Sequence, residues 1–501
     1  MRDRTAYELT RRSLLQALLA TAATPAFAIA PEVSLRPPRG RGPVVPPGAE
    51  ALVKKARVPG QVVFAVADVE TGEILESRNP ETGLAPASVT KAITALYALD
   101  VLGPEHQFKT EIIATGGVTD GIVEGDLVLV GGGDPTTDTR ALAALAAQIK
   151  EAGIREVKGD FMVYEGPVTS VSSIDPQQPD HVGYSPAVAG IALNFNRVHF
   201  EWKRAGGKYT VTMDARAGRY RPEVDVARMQ VVQRRAPIYT YENEGKRDQW
   251  TVASGALGKG GARWLPVRQP GLYAGDVFAT LARSHGIVLT APKMRQTAPK
   301  GLSVGAIESA PLSDILRAML KFSNNLIAEM IGLAATYARR GKVENLAASA
   351  GEMNFWAQQT LGMTAPAFAD HSGLGSASRI SAEDMVRGLG ALGHVELLRP
   401  MLKPVKLLDA QGRPVNNHPV QAEAKTGTLN FVSGLGGYIK TPQGRDLVFA
   451  FFASDEATRA TITRAQRERP PGSRSYATRA RRLQRQLIMR WGKVFDESGG
   501  G

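Results

Sequence analysis

The chain reads as a mixed α/β (α+β) protein whose principal domain is interrupted by a long insertion. Three observations predict this. A strand hairpin near the N-terminus runs at once into an apolar helix; two strands and an amphipathic helix close the chain; and about 230 residues separate two polar motifs that a single chemistry would unite. One core does not need a connection of that length. With 501 residues, 43% hydrophobic and 22% charged, the chain suffices for two or three domains with sizeable cores.

Taken in order, Thr10-Arg11-Arg12-Ser13-Leu14-Leu15 opens a short apolar run to Ala23, followed by a small-residue cleavage pattern at Ala26-Phe27-Ala28. Residues 1–28 therefore read as an export signal, too short to cross a bilayer. The paired arginines resemble a twin-arginine signal, an ordinary secretory signal being the alternative. On this reading the protein matures from about Ile29 and works in the periplasm or at the outer cell surface. Residues 29–48, rich in Pro, Arg and Gly, read as an extended linker.

The principal domain begins over 49–106. Residues 61–68 alternate around Val62, Phe64 and Val66, and Glu70-Thr71-Gly72-Glu73 turns the chain into 74–77 as a hairpin. Pro86-Ala87-Ser88 then precedes Ala92, Ile93, Ala95, Leu96, Leu99 and Leu102, a helical spacing. Ser88 is thus expected at a helix N-terminus, with Lys91 on the same face one turn on.

The insertion reads as a base, 107–165 with 262–298, and a nested β-rich domain, 166–261. Strands are expected at 111–114 and 125–130, and a tight turn at Gly131-Gly132-Gly133-Asp134-Pro135, which lacks the lysine of a phosphate loop. A helix over 140–152, strands at 198–202 and 209–213, a helix over 274–285 and a strand at 287–289 complete it. A strand at 302–307 is expected to re-enter the principal domain, which resumes over 299–493. Helices follow at 312–320 and from about 325 to 337, then strands at 434–439 and 447–453, with Lys425-Thr426-Gly427 at a sheet edge. Ala480, Leu483, Leu487, Ile488 and Trp491 give the last helix one apolar stripe to cover a sheet, and 494–501 is a tail.

The absence of cysteine removes disulfides, thiolate nucleophiles and Cys-bound metals. The formal charge of +13 is spread without a Lys/Arg block of the kind that reads nucleic acid, so an anionic wall polymer or lipid surface is the expected contact and nucleic acid is not. Seven histidines contain no H-x-x-x-H pair, and neither metal nor cofactor is expected.

Three strings in fixed order carry chemistry: Ser88-Val89-Thr90-Lys91, Ser323-Asn324-Asn325 and Lys425-Thr426-Gly427. Serine acyl transfer needs a nucleophile, a base, a proton route to the leaving group and donors for the oxyanion. Ser88 and Lys91 supply the first two, provided that the Lys91 pKa falls from ~10.4 to near working pH, roughly 4 kcal/mol. A helix N-terminus gives at most ~1 kcal/mol of that. Desolvation and a second cation, Lys425, are expected to supply the rest. Ser323 suits a proton relay, Asn325 can accept from Lys91 and donate to substrate, and Asn324 should point away. Backbone N–H groups of Ser88 and Thr428 would form the oxyanion hole. Two other matches carry less: Ser77-Arg78-Asn79 precedes the nucleophile at a strand end, and Gly301-Leu302-Ser303-Val304-Gly305 lacks the flanking strand and helix of a hydrolase elbow.

The ordered trio resembles the penicillin-binding proteins and serine β-lactamases, whose signature is S-x-x-K, S-D-N and K-T-G, here with Ser-Asn-Asn in the middle. With the long insertion, Leu129-Val130-Gly131-Gly132-Gly133-Asp134-Pro135-Thr136 and Asp370-His371-Ser372-Gly373-Leu374, it resembles the DacB-type D-alanyl-D-alanine carboxypeptidases, class C penicillin-binding proteins of peptidase family S13, over roughly residues 50 to 492. The resemblance implies a transpeptidase-like domain with two nested β-rich inserted domains, and D,D-carboxypeptidase with endopeptidase activity on peptidoglycan stem peptides, with β-lactam antibiotics as covalent inhibitors. It assigns Thr426, Gly427 and Thr428 to the substrate carboxylate, Asp180 and Tyr184 to the peptide's third side chain, and the 370–374 loop, with His371 at most at its rim, to a flank of the site. A β-lactamase, which would need a Glu-x-x-x-Asn element to direct water, and a wall-binding scaffold are the alternatives.

Overall fold

A computed structural model describes residues 47–391, 393–409 and 413–496. The expected export signal and almost all of the linker, residues 1–46, lie outside the described residues, as does the tail from 497.

The chain enters through helix α1 (Ala49–Ala56) and the antiparallel pair β1 (Gln61–Asp68) and β2 (Ile74–Arg78). A single 3₁₀ turn, Ala87–Val89, leads into α2 (Thr90–Leu102). After the insertion come α5 (Leu312–Phe322), α6 (Asn325–Arg340), α7 (Leu346–Leu361), α8 (Ala382–Gly390) and α9 (His394–Leu398). The strands β17 (Lys403–Pro404), β18 (Gln421–Leu429), β19 (Val432–Lys440) and β20 (Asp446–Ser454), then α10 (Glu456–Ala460) and α11 (Ser473–Val494), end it. Strand order is β17-β18-β19-β20-β1-β2, so the two ends of the chain are neighbours in one sheet.

That sheet is covered on both faces. Val63, Ala65, Ala67, Tyr438, Val448, Ala450 and Phe452 pack against α2 and α5 to α9; Val62, Phe64, Val66, Phe449 and Phe451 pack against α1 and α11. Strand β1 is therefore buried at every position from Val62 to Asp68, where the sequence led us to expect alternation. A strand between two helical layers needs apolar residues on both faces. The stripe on α11 is as expected, with Ala480, Leu483, Leu487, Ile488 and Trp491 all fully buried.

The insertion contains β3 (Lys109–Ala114), β4 (Val118–Thr119), β5 (Ile122–Val123), β6 (Leu127–Val130), α3 (Thr139–Glu151), β7 (Glu156–Val157) and β8 (Phe161–Tyr164). Next come β9 (Arg197–Ala205), β10 (Lys208–Asp214), β11 (Ala227–Val232), β12 (Tyr239–Asn243), β13 (Asp248–Ala253) and β14 (Gly260–Pro266), then α4 (Pro270–Ser284), β15 (Lys293–Met294) and β16 (Leu302–Glu308). Its main sheet is β15-β8-β6-β3-β16, beside small sheets β10-β9-β14, β11-β13-β12 and β4-β5-β7.

Three expectations are corrected here. Strand β16 does not re-enter the principal domain but pairs with β3, Ile307 opposite Thr110, as an edge of the inserted sheet. Residues 287–289 are not a strand, although Ile287 and Leu289 are buried in the inserted core. The run Gly131 to Gly133 is a close crossing more than a turn: a Cβ at 132 would run into the Lys109 carbonyl, and one at 131 into that of Gly190.

Candidate active site

The three strings converge where the 3₁₀ turn before α2, the α5–α6 junction and β18 meet. Ser88 sits in the turn, and Lys91, in the first turn of α2, donates to Ser88 Oγ at 2.9 Å. Helix α5 stops at Ser323, which takes a left-handed conformation (φ 55°), and Asn324 turns away to cap α6 by accepting the Ile327 N–H at 3.1 Å. Asn325 thereby opens α6, and its Oδ1 accepts from Lys91 Nζ at 2.7 Å while its Nδ2 donates to the Tyr184 carbonyl at 2.9 Å. Lys425 Nζ donates to Ser323 Oγ at 2.9 Å and to the Thr426 carbonyl at 2.7 Å. Ala87, next to the candidate nucleophile, is left-handed too (φ 48°). A non-glycine residue there costs roughly 1–2 kcal/mol, which the packed surroundings must hold.

Gly427 explains the middle of its string. A Cβ at 427 would run into the Pro86 carbonyl and sit 3.1 Å from the Ser88 nitrogen, so only glycine lets β18 pass against the nucleophile turn. Lys425 and Gly427 are buried while Thr426 and Thr428 are exposed, as a strand's alternation requires. Here β17 pairs only with Ala424 and Glu423, leaving β18 from Lys425 onward as the sheet edge. A cleft of about 520 Å³ opens over this edge, lined by Ser88, Ser323, Asn325, Thr428, Tyr184 and Arg379 among others. Thr426 and Asp180 do not line it.

Lys91 is fully buried, and burial lowers its pKa to about 8 against the pull of Asp370 and Glu329, which raise it. Lys425, 2% exposed, falls to about 6, from burial first and then from the charge of Lys91. Burial, one of the two expected influences, is the first cause for both amines, and the repulsion between them lowers the pair further. A neutral lysine has two N–H bonds and one lone pair. Lys91 has a third acceptor, the Ser372 carbonyl at 2.6 Å, so Asn325 and Ser372 can take both N–H bonds and leave the lone pair facing Ser88 Oγ.

His371 is not at the rim. It is fully buried below the site, its Nε2 2.8 Å from Ser349 Oγ and its ring stacked on Tyr97, and burial lowers its pKa to about 3. Asp180 is also corrected. Its carboxylate pairs with Arg464 at 2.7 Å, in a segment that further meets the insertion through Glu468 with His181 and Arg263, and Arg467 with Gln177. Tyr184 does reach the cleft, 42% exposed, with its hydroxyl on Gln178.

Two partners of Lys91 escaped the sequence reading. Ser372 acts through a backbone atom, which no motif displays. Glu329 was detectable as a lone acid in an otherwise apolar stretch, four residues after Asn325 and so on its face of the helix. Among the described residues no group of three or more His, Asp or Glu is placed to hold a metal.

A fold with this sheet between helical layers, carrying Ser-Lys, Ser-Asn-Asn and Lys-Thr-Gly around one cleft, defines the class of penicillin-binding serine acyl-transferases. The family model of the D-Ala-D-Ala carboxypeptidase 3 (S13) family matches residues 49–469, and the chain belongs to that family. It is 28% identical over 428 residues to the D-alanyl-D-alanine carboxypeptidase of Actinomadura sp. (strain R39), covering 80% of this chain and 79% of that one. The crystal structure of penicillin binding protein 4 (dacB) from Haemophilus influenzae superposes with a TM-score of 0.71 at 19% identity, over 88% of this chain and 99% of that one. Its β-lactam complex superposes with a TM-score of 0.69 at 20% identity and the same coverage. The protein is thus a serine-type D-Ala-D-Ala carboxypeptidase of the DacB kind.

Proposed function

We propose that the protein removes the terminal D-Ala from peptidoglycan peptides through an acyl-enzyme on Ser88, with Lys91 as base. The observation that carries this is the Lys91 amine, buried, 2.9 Å from Ser88 Oγ, with two other acceptors to occupy its N–H bonds. Ser88 Oγ attacks the carbonyl before the terminal D-Ala while its proton passes to Lys91. Negative charge on the carbonyl oxygen meets the backbone N–H groups of Ser88 and Thr428, a donor pair whose single members are worth about 3 kcal/mol elsewhere. Ser323, held on Lys425, relays a proton to the leaving nitrogen as the C–N bond breaks, and water then hydrolyses the ester. Thr428 and the Lys425 amine receive the terminal carboxylate, and Tyr184 walls the side-chain end of the cleft. Replacing D-Ala by a cross-linked residue makes the same steps an endopeptidase. A β-lactam acylates Ser88 likewise, but its leaving nitrogen stays tethered and the adduct lasts.

Intact mass spectrometry after incubation with benzylpenicillin and, separately, a D-Ala-D-Ala pentapeptide tests the reading. A lasting adduct on Ser88 with D-Ala release is expected, and Ser88→Ala should abolish both; either one surviving the substitution would sink it.

The reading extends to export through the signal at 1–28 and work in the periplasm, which a mature mass beginning near Ile29 would test. A wall or lipid contact would use the face shared by α1 and α11. Lys54, Lys55, Arg57, Arg474, Arg481 and Arg482 are exposed there, and among the described residues none of them is ion-paired. No described helix is long and apolar enough to cross a membrane.

A further inference from the structure

The third acceptor of Lys91 is a backbone carbonyl, and something must hold it in place. Two carboxylates share this task. Glu329 Oε2 accepts the His371 N–H at 3.1 Å and its Oε1 the Ser372 N–H at 2.9 Å, clamping the two peptide units that lead into Ser372. The unit that carries the Ser372 carbonyl is held by Asp370, whose two oxygens accept from Gly373 at 2.5 Å and Gly375 at 2.6 Å. Glu329 lies one turn after Asn325 on α6, and Gly332, at the next turn, has no Cβ because one would enter the His371 ring. One helix face therefore carries the Asn325 amide and the Glu329 clamp, and receives the His371 ring over Gly332. Asn325 and Ser372 are the two groups that occupy the N–H bonds of a neutral Lys91.

We propose that Glu329 is a positioning residue for acyl transfer: by fixing the backbone that leads into Ser372, with Asp370 holding the next peptide unit, it keeps the Ser372 carbonyl on one Lys91 N–H and leaves the amine's lone pair to Ser88. This rests on the reading of Lys91 as base. A fully buried carboxylate is costly to keep unless it is well bonded, and here both oxygens are spent on a loop that touches Lys91. The charged or titratable groups facing Lys91 are Glu329 from α6, Asp370 from the loop and Lys425 from β18; His371 beside them is neutral, and Lys403 faces Lys425 in turn. When ionised, both carboxyl groups raise the Lys91 pKa, so Glu329 also opposes the burial that discharges the base, while burial and the neighbouring Asp370 push its own value up to about 8.

Two substitutions separate length from charge. Glu329→Gln keeps the reach, removes the charge and turns one of the two accepting oxygens into an N–H donor; Glu329→Asp keeps both oxygens and shortens the reach. Wild type and both variants are compared in kcat, KM and the pH profile of kcat/KM for D-Ala release, and in acylation rate with benzylpenicillin, with thermal melts reporting the folded fraction. Both variants should keep KM and lose about 100-fold in kcat, the loss typical of a catalytic group misplaced by an ångström. In Glu329→Gln the acid limb, near the Lys91 value of about 8, should move to lower pH, while in Glu329→Asp it should stay. Wild-type kcat in Glu329→Gln, or a loss that tracks only the unfolded fraction with the limb unmoved, would overturn the proposal. A wild-type enzyme that never acylates would overturn the reading of the site beneath it.

Discussion

Replacing Lys425 by methionine tests what keeps Lys91 neutral. The change keeps the bulk of a side chain that is 2% exposed, and removes an amine that donates to Ser323 Oγ at 2.9 Å and would anchor the substrate carboxylate. Losing one hydrogen bond to a charged group costs ~1.5–3 kcal/mol, which is about 10- to 150-fold in kcat/KM. The sign of the pH effect follows from the base. Lys91 works deprotonated, so kcat/KM rises with pH through its pKa of about 8, and the amine pair has a second, lower step near 6 on Lys425. Burial is the first cause of the Lys91 value and survives the substitution. Lys425→Met should therefore lower the whole profile and erase the lower step while the limb near 8 stays. The assay is D-Ala release from a soluble pentapeptide across pH, with benzylpenicillin acylation as the second probe. A limb that climbs toward the ordinary lysine value of 10.5 would refute the reasoning, because it would make the charge of Lys425, not burial, the discharging influence.

Gly332→Ala should cost ~1–3 kcal/mol as overpacking, because its Cβ would enter the His371 ring; chemical denaturation should show it, and an unchanged midpoint would mean that the ring yields freely. His371 is held neutral, with its pKa lowered by burial to about 3, so its contribution is present above the unfolded value of 6.5 and is lost as pH falls from 6.5 toward 3. That amounts to about 5 kcal/mol at most. Wild type should lose melting temperature over this window more steeply than His371→Gln, and parallel curves would contradict the burial argument. Asp180→Asn breaks an exposed pair with Arg464, worth about 0–1 kcal/mol, and should leave benzylpenicillin acylation unchanged because the carboxylate does not line the cleft. A large fall in acylation rate would restore Asp180 to the site.

Local patterns carried the elements marked by turn residues or by helical spacing of apolar positions. The hairpin of β1 and β2, the apolar stripe of α11 and the position of Ser88 just before α2 were all legible because periodicity and turn residues act over a few positions. The misreadings share a cause. Strand β16 looks the same to a local pattern whether it pairs with β3 or with the principal sheet, and residues 287–289 are apolar because they are buried, not because they are extended. Asp180 was assigned through the family resemblance, yet its partner is Arg464, 284 residues away.

The three strings, their order and the gap between the first two were sufficient to point to the chemistry proposed, since acyl transfer restricts which side chains can act as nucleophile, base and relay. What only the tertiary structure decided is the surroundings that suit Lys91 to the role of base proposed for it. Its pKa depends on burial and on Asp370 and Glu329, and its lone pair is directed by a carbonyl at Ser372, 281 residues from it in sequence. Desolvation and hydrogen-bond direction are properties of surroundings assembled from distant segments, so no local pattern can express them.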